Sequence, residues 1–127
     1  MLKSITFATE TPLMSKKLPN IESTQVDQSK VVDYLLNTEK LPGAAKARFF
    51  KSFGFQIDSW EQMAVELVDQ ARRNLVVKEH ESRFGTKYEI EGTIKTPDGR
   101  NPRIWTVWQI DKDGLAPRLI TAYPSDV

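Results

Sequence analysis

At residue 75 the spacing of apolar residues in this chain changes from about 3.6 to 2, the mark of helices giving way to strands. Before it, DSWEQMAVELVDQARRN (58–74) sets Trp60, Met63, Ala64, Leu67, Val68 and Ala71 on one helical stripe. Asp58 is the expected N-cap, Glu61 completes a capping box, and the helix should end near Asn74. After it, LVVKEHE (75–81) reads as a strand and RFGT as a turn. TKYEIEGTIKT then alternates Tyr88, Ile90, Gly92 and Ile94 against Lys87, Glu89, Glu91, Thr93 and Lys95. TPDGR is a tight turn with Pro97 and Gly99 in favourable positions, and RIWTVWQI a strand. DKDG turns again, and LAPRLITAY is the last strand.

Two shorter helices are expected upstream. Asp27 caps the first, which carries Val31, Val32, Leu35 and Leu36 at helical spacing until LPG (41–43) breaks it. The second, in GAAKARFFKSFGF (43–55), stops at Gly54, a natural left-handed residue, after which Phe55 folds back on the last turn. The expected fold is therefore α+β, with about three N-terminal helices packed on one face of an antiparallel meander of about four strands. Residues 1–17 are poorly patterned and read as an N-terminal extension, with SITFAT a short edge strand. Residues 18–127 form the single domain that a chain of 127 residues leads one to expect.

Much chemistry is excluded at once. The chain has no cysteine, and His80 is its single histidine. Disulfides, thiolate nucleophiles and clustered histidine metal ligands are therefore out, and a reducing cytoplasm suits the composition. No apolar run approaches the roughly 20 residues of a membrane span. No phosphate-binding loop, dinucleotide fingerprint or hydrolase elbow is present, so no cofactor is expected. The formal net charge is +1, with no charged arm or tail. A strongly basic footprint for nucleic acid is absent, although a local basic patch is compatible with that balance. Glu79, Glu81, Glu89, Glu91 and His80 read as groups on a solvated strand face.

One residue breaks the pattern. At about 100° per residue, Phe49, Phe50 and Phe53 share a narrow stripe of the second helix, and Lys46 lies on it too. Arg48 and Lys51 fall on the opposite side. Either the stem of Lys46 runs along the phenylalanines while its ammonium reaches water, or the ammonium has a task at the sheet. On the third strand, alternation puts Arg103, Trp105 and Val107 on one face and Ile104, Thr106, Trp108 and Ile110 on the other. On the last strand, Leu119, Thr121 and Tyr123 share a face opposite Arg118 and Ile120. Which sheet face meets the helices is open. An uncovered face with guanidinium, hydroxyl and aromatic groups would suit RNA.

The strings LPN, VVDYLLN, KARFFKSFGF, TPDGRNPR, TVW and PRLITAYP together resemble a family of small bacterial proteins and toxin C-terminal domains. That family sets an Asp-Tyr-Leu-Leu helix before a Lys-Ala-x-Phe-Phe helix and closes on Thr-Val-Trp and Pro-Arg-x-x-Thr-Ala-Tyr-Pro strands. The resemblance covers about residues 18 to 125. It implies the fold shared by barnase, EndoU, colicin D and RelE, and a toxin of a toxin–antitoxin or contact-dependent system. The implied activity is a metal-independent ribonuclease in which the 2′-hydroxyl of RNA attacks the adjacent phosphate. A small cognate antitoxin would cover the sheet face. The resemblance makes Lys46 a family feature, and in the catalysis it implies Lys46 and Arg118 would meet phosphate charge. Thr106 and Thr121 would position the substrate, and Tyr123 would donate a proton. Arg103, Lys87 and Trp105 would bind the RNA on either side. The competing reading is a non-catalytic module that uses the same face to bind a partner protein.

Overall fold

The switch in period is the boundary between two layers. In the computed structural model, which describes residues 16–40 and 43–126, three helices precede a four-stranded antiparallel sheet. Helix α1 begins at Gln28–Lys30 and continues as a π-helical turn over Val31–Leu35. Helix α2 is Ala44–Ser52, and α3 is Trp60–Arg73, entered through a 3-10 turn at Ile57–Ser59. Strands β1 (Val76–Ser82), β2 (Gly85–Thr93), β3 (Arg103–Asp111) and β4 (Arg118–Pro124) pair in sequence order. Every pairing is antiparallel. SITFAT and most of LPG lie outside the described residues. Among the described residues, no helix is long and apolar enough to cross a membrane.

Burial decides which sheet face meets the helices. Tyr88 and Ile90 of β2, Ile104, Thr106 and Trp108 of β3, and Leu119 and Ala122 of β4 are all buried. They close a core with Val31, Leu35 and Leu36 of α1, Phe50 of α2, and Met63, Leu67 and Ala71 of α3. The alternation expected in β2 holds along its length. The last strand differs from expectation. Val107 pairs with Thr121 but Trp108 pairs with Leu119, so Ile120 is an extra residue that reverses the alternation. Leu119 consequently turns inward, while Thr121 and Tyr123 turn to the face away from the helices. The same device recurs where Val76 pairs with Ile90 and Lys78 with Glu89, leaving Val77 over.

Helix ends also differ in detail. Ser59, not Asp58, occupies the N-cap position of α3, and no side-chain cap bond forms there or at Asp27. The last strand starts at Arg118, and Leu115 is exposed. Gly54 does take the left-handed conformation, at φ 105°, and Phe55 returns to pack on Phe50 with ring centroids 6.4 Å apart.

Thr106 belongs to the core and is absent from the open face. Its hydroxyl donates to Gln70 Oε1 at 2.7 Å and accepts from Trp108 Nε1 at 2.9 Å. Gln70 in turn donates to the carbonyls of Ile90, Gly92 and Ile104. Such a chain satisfies each polar group it buries, which is the condition for tolerating polar atoms in a core. The expectation that Thr106 positions a substrate is therefore not met by its location: helix α3 lies over it.

Candidate functional site

The sheet face turned away from the helices, on which Val107 and Gln109 are nonetheless buried, is assembled by strand pairing. Its rows run Lys87–Gln109–Arg118, then Glu89–Val107–Thr121, then Glu91–Trp105–Tyr123, with Thr93–Arg103 at the end. Seven of the eight expected site residues thus come to one place. Lys87, Arg103, Trp105, Arg118, Thr121 and Tyr123 stand on this face, and Lys46 reaches it from α2.

Lys46 does so because α2 lies along β4. Its buried line is Ala44, Ala47 and Phe50, not the three phenylalanines expected. Small alanines allow close approach, and Phe50 fills the core. Phe49 and Phe53 share the half-buried shoulder with Lys46, their rings tilted 58° to each other with centroids 5.0 Å apart. From that shoulder the Lys46 ammonium neither trails into water nor enters the core. It donates to the Tyr34 hydroxyl at 2.7 Å and to Thr121 Oγ1 at 3.2 Å. Those two hydroxyls are themselves 3.0 Å apart, closing a triangle. The ammonium also lies 5.3 Å from the Tyr34 ring centre and 5.7 Å from that of Tyr123. Two hydroxyls and two ring faces offset the cost of a cation in the first turn of a helix.

Tyr34 was not legible as a site residue. It sits in the π-helical turn, where the widened backbone leads its side chain away from the core line of Val31 and Leu35. Its ring passes over Gly43, where an added Cβ would lie 2.8 Å from a ring carbon. Gly43 also has φ 106°, which suits only glycine. We predict that Gly43→Ala costs about 1–2 kcal/mol from the backbone alone and displaces the Tyr34 ring. Thermal unfolding and tyrosine fluorescence would show both, and an unchanged melting temperature would contradict it. Lys30, on the other side, lies 5.3 Å from the Tyr34 ring centre. Its signals in the sequence were a phenol beside Asp33 in the stretch VVDYLL and its place in the Asp-Tyr-Leu-Leu motif of the resemblance.

The two tyrosines are pushed in opposite directions. Burial alone would raise the pKa of Tyr34, but hydrogen bonds from Lys46 and Thr121 and the charges of Lys46 and Lys30 leave it below the ordinary value of 10.0. Tyr123 is raised above that value, chiefly by burial and further by the Glu89 charge. Opposed shifts in neighbouring titratable groups are the usual basis for dividing base and acid roles.

The arginines are less free. Arg118 makes a forked pair with Asp111, at 3.0 and 3.1 Å, and this holds the carboxyl of Asp111 below its usual range. Arg103 pairs with Glu91 at 3.1 Å, and Glu91 also accepts from the Ser125 hydroxyl. His80 pairs with Glu89 at 2.9 Å.

With that geometry in hand, residues 17–126 match the pattern of a domain family, DUF6883, described as a domain of unknown function. The chain belongs to DUF6883. The match takes in Tyr34, Lys46, Thr121 and Tyr123 alike. Among solved structures, this DUF6883 domain is similar to a chain of a contact-dependent growth inhibition toxin–immunity protein complex from Klebsiella pneumoniae 342. The TM-score is 0.65 at 24% identity, with 84% of this chain and 97% of that chain covered. At that identity the likeness shows a shared fold. No functionally curated protein matches.

Proposed function

We propose that this DUF6883 domain is a metal-independent ribonuclease toxin whose active site is the open sheet face beside α2. The observation that carries the reading is the Lys46 ammonium, held by Thr121 and Tyr34 at the edge of a face that also presents Tyr123. A cation fixed by its neighbours, beside a proton donor, is what a developing phosphorane requires. Its hydroxyl partners are exchangeable for phosphate oxygens without stranding a buried charge. In this reading Lys46 and the Thr121 hydroxyl meet the non-bridging oxygens. Tyr123, held in its phenol form, protonates the departing 5′-oxygen. Trp105 lies opposite Tyr123 on β3, placed to stack on a flanking base, with Lys87 and Arg103 along the strand. Arg118 is held by Asp111 and contributes field more than direct contact.

The fold likeness to a chain of a toxin–immunity complex supports the further reading that a small partner protein masks this face. A toxin needs such a partner during its own synthesis. The alternative, a non-catalytic interaction module, rests on the same likeness, because the open face would then serve only to bind that partner.

The test is incubation of purified protein with total RNA in EDTA, beside Lys46→Met carried through the same purification. Fragments ending in 2′,3′-cyclic phosphate from the wild type alone are expected. Loss of cleavage in EDTA would remove metal independence. RNA left intact at stoichiometric protein, with or without divalent cations, would return the protein to the interaction reading.

A further inference from the structure

We infer that Tyr34, gripped by Lys46 and Thr121, is the general base that accepts the proton of the attacking 2′-hydroxyl. The inference deepens the ribonuclease reading and rests on it. In that reaction Lys46, Thr121 and Tyr123 supply charge, position and a leaving-group proton, but none of them removes a proton from the nucleophile.

Among the described residues, the other proton acceptors on the sheet are badly placed. Sheet order is β1-β2-β3-β4, and Thr121 is on β4. His80 on β1 is three strand spacings away, about 14 Å. Glu89 and Glu91 on β2 are two spacings away, about 10 Å, and are bound to His80 and to Arg103 and Ser125. Asp111 is committed to Arg118 and Gln109. A base must come within hydrogen-bond reach of the proton it takes, directly or through one water. Tyr34 satisfies this because its oxygen is 3.0 Å from Thr121 Oγ1 and 2.7 Å from the Lys46 ammonium, the two groups that fix the phosphate.

The surroundings of Tyr34 are also those of a phenolate. Lys46 aims a charged donor at the oxygen, and Thr121 can donate a second hydrogen bond to it while no phosphate is bound. Lys30 adds a second ammonium against the ring. Gly43 leaves the room for the ring to lie there, at the expense of a left-handed residue at the start of α2. These features are unnecessary for a tyrosine that merely packs. The lowered pKa agrees with the geometry.

The step balances simply. The Tyr34 phenolate takes the 2′-hydroxyl proton as O2′ bonds to phosphorus. The P–O5′ bond breaks, and O5′ takes the proton of Tyr123. The products are a 2′,3′-cyclic phosphate and a 5′-hydroxyl end. Tyr34 is left protonated and Tyr123 ionised, and solvent restores both. Because the base works deprotonated, cleavage rises with pH through the Tyr34 pKa, below 10. Because the acid works protonated, cleavage falls again above 10 as Tyr123 ionises.

Single-turnover cleavage of RNA and of a uridine 3′-nitrophenyl phosphate separates the roles. Tyr34→Phe should slow both substrates by about 10²–10⁴-fold and abolish the rising limb of the pH profile. Tyr123→Phe should slow RNA but be restored on the nitrophenyl ester, whose leaving group needs no proton. Unchanged binding of a 2′-deoxy oligonucleotide by Tyr34→Phe reports an intact fold. Ultraviolet titration of tyrosinate adds a readout independent of RNA: one tyrosine ionising below pH 10 in the wild type, and missing from Tyr34→Phe. A Tyr34→Phe protein that keeps the rising limb overturns the assignment while the ribonuclease reading survives. An early-ionising tyrosine in a protein that cuts neither substrate shows instead that the ribonuclease reading has failed, and the base role falls with it.

Discussion

Lys46→Met will slow RNA cleavage by about 10²–10³-fold and leave the protein folded. Methionine keeps a stem of similar length along the α2 shoulder, so packing against Phe49 changes little. What disappears is the ammonium and its two hydrogen bonds. Those bonds are half-exposed, and their net worth is about 0.5–1.5 kcal/mol each. Tyr34 and Thr121 keep each other as partners at 3.0 Å, so neither hydroxyl is stranded. The loss of stability should therefore lie near the lower end of that range. The loss in the transition state is larger, about 2.7–4 kcal/mol, because the charge being met exists only there. Initial cleavage rates and a urea titration on the same preparation measure the two separately. A variant that cuts as fast as the wild type would return Lys46 to a purely structural role.

Phe50→Ala will cost about 3–5 kcal/mol of stability. Phe50 is fully buried, touches Phe49 and Phe55, and is the only large side chain that α2 places in the core. Its neighbours along the buried line are Ala44 and Ala47, which cannot close over the space left. Against a total of about 5–15 kcal/mol for a typical domain, this is a substantial share, and the melting temperature should fall by on the order of 10–20 °C. The half-buried Phe49, truncated the same way, should cost distinctly less. Equal losses at the two positions would show that α2 is not anchored through Phe50.

The division into helices and sheet was written plainly in the sequence, because apolar period is a local property. Alternation in β2 and the glycine stop at Gly54 were legible for the same reason. Lys46 announced itself by lying among phenylalanines, although the stripe itself was misdrawn: the alanines face the core, and two of the phenylalanines flank it. Tyr34 was marked only by its place in the Asp-Tyr-Leu-Leu motif, with nothing to tie it to Lys46 or Thr121. It is twelve residues from Lys46 and 87 from Thr121, and only the packing of α1, α2 and β4 brings the three together. Thr106 misled for the opposite reason. Alternation grouped it correctly with Ile104 and Trp108 but could not say which face was covered. The orientation of Leu119 against Thr121 was unreadable, since a bulge leaves no mark in a pattern of alternating residues.

That extra residue in β4 makes the strand's length, as much as its composition, a condition for the hydroxyl face. Ile120 lets one short segment obey two opposite parities, inward for Leu119 and outward for Thr121 and Tyr123. Remove it, and the chain must choose: either Leu119 surfaces, or both hydroxyl residues are driven under the helices and Lys46 loses Thr121 as an acceptor. A relative carrying every one of these side chains, but one residue shorter here, would hold the parts of this site without being able to assemble it.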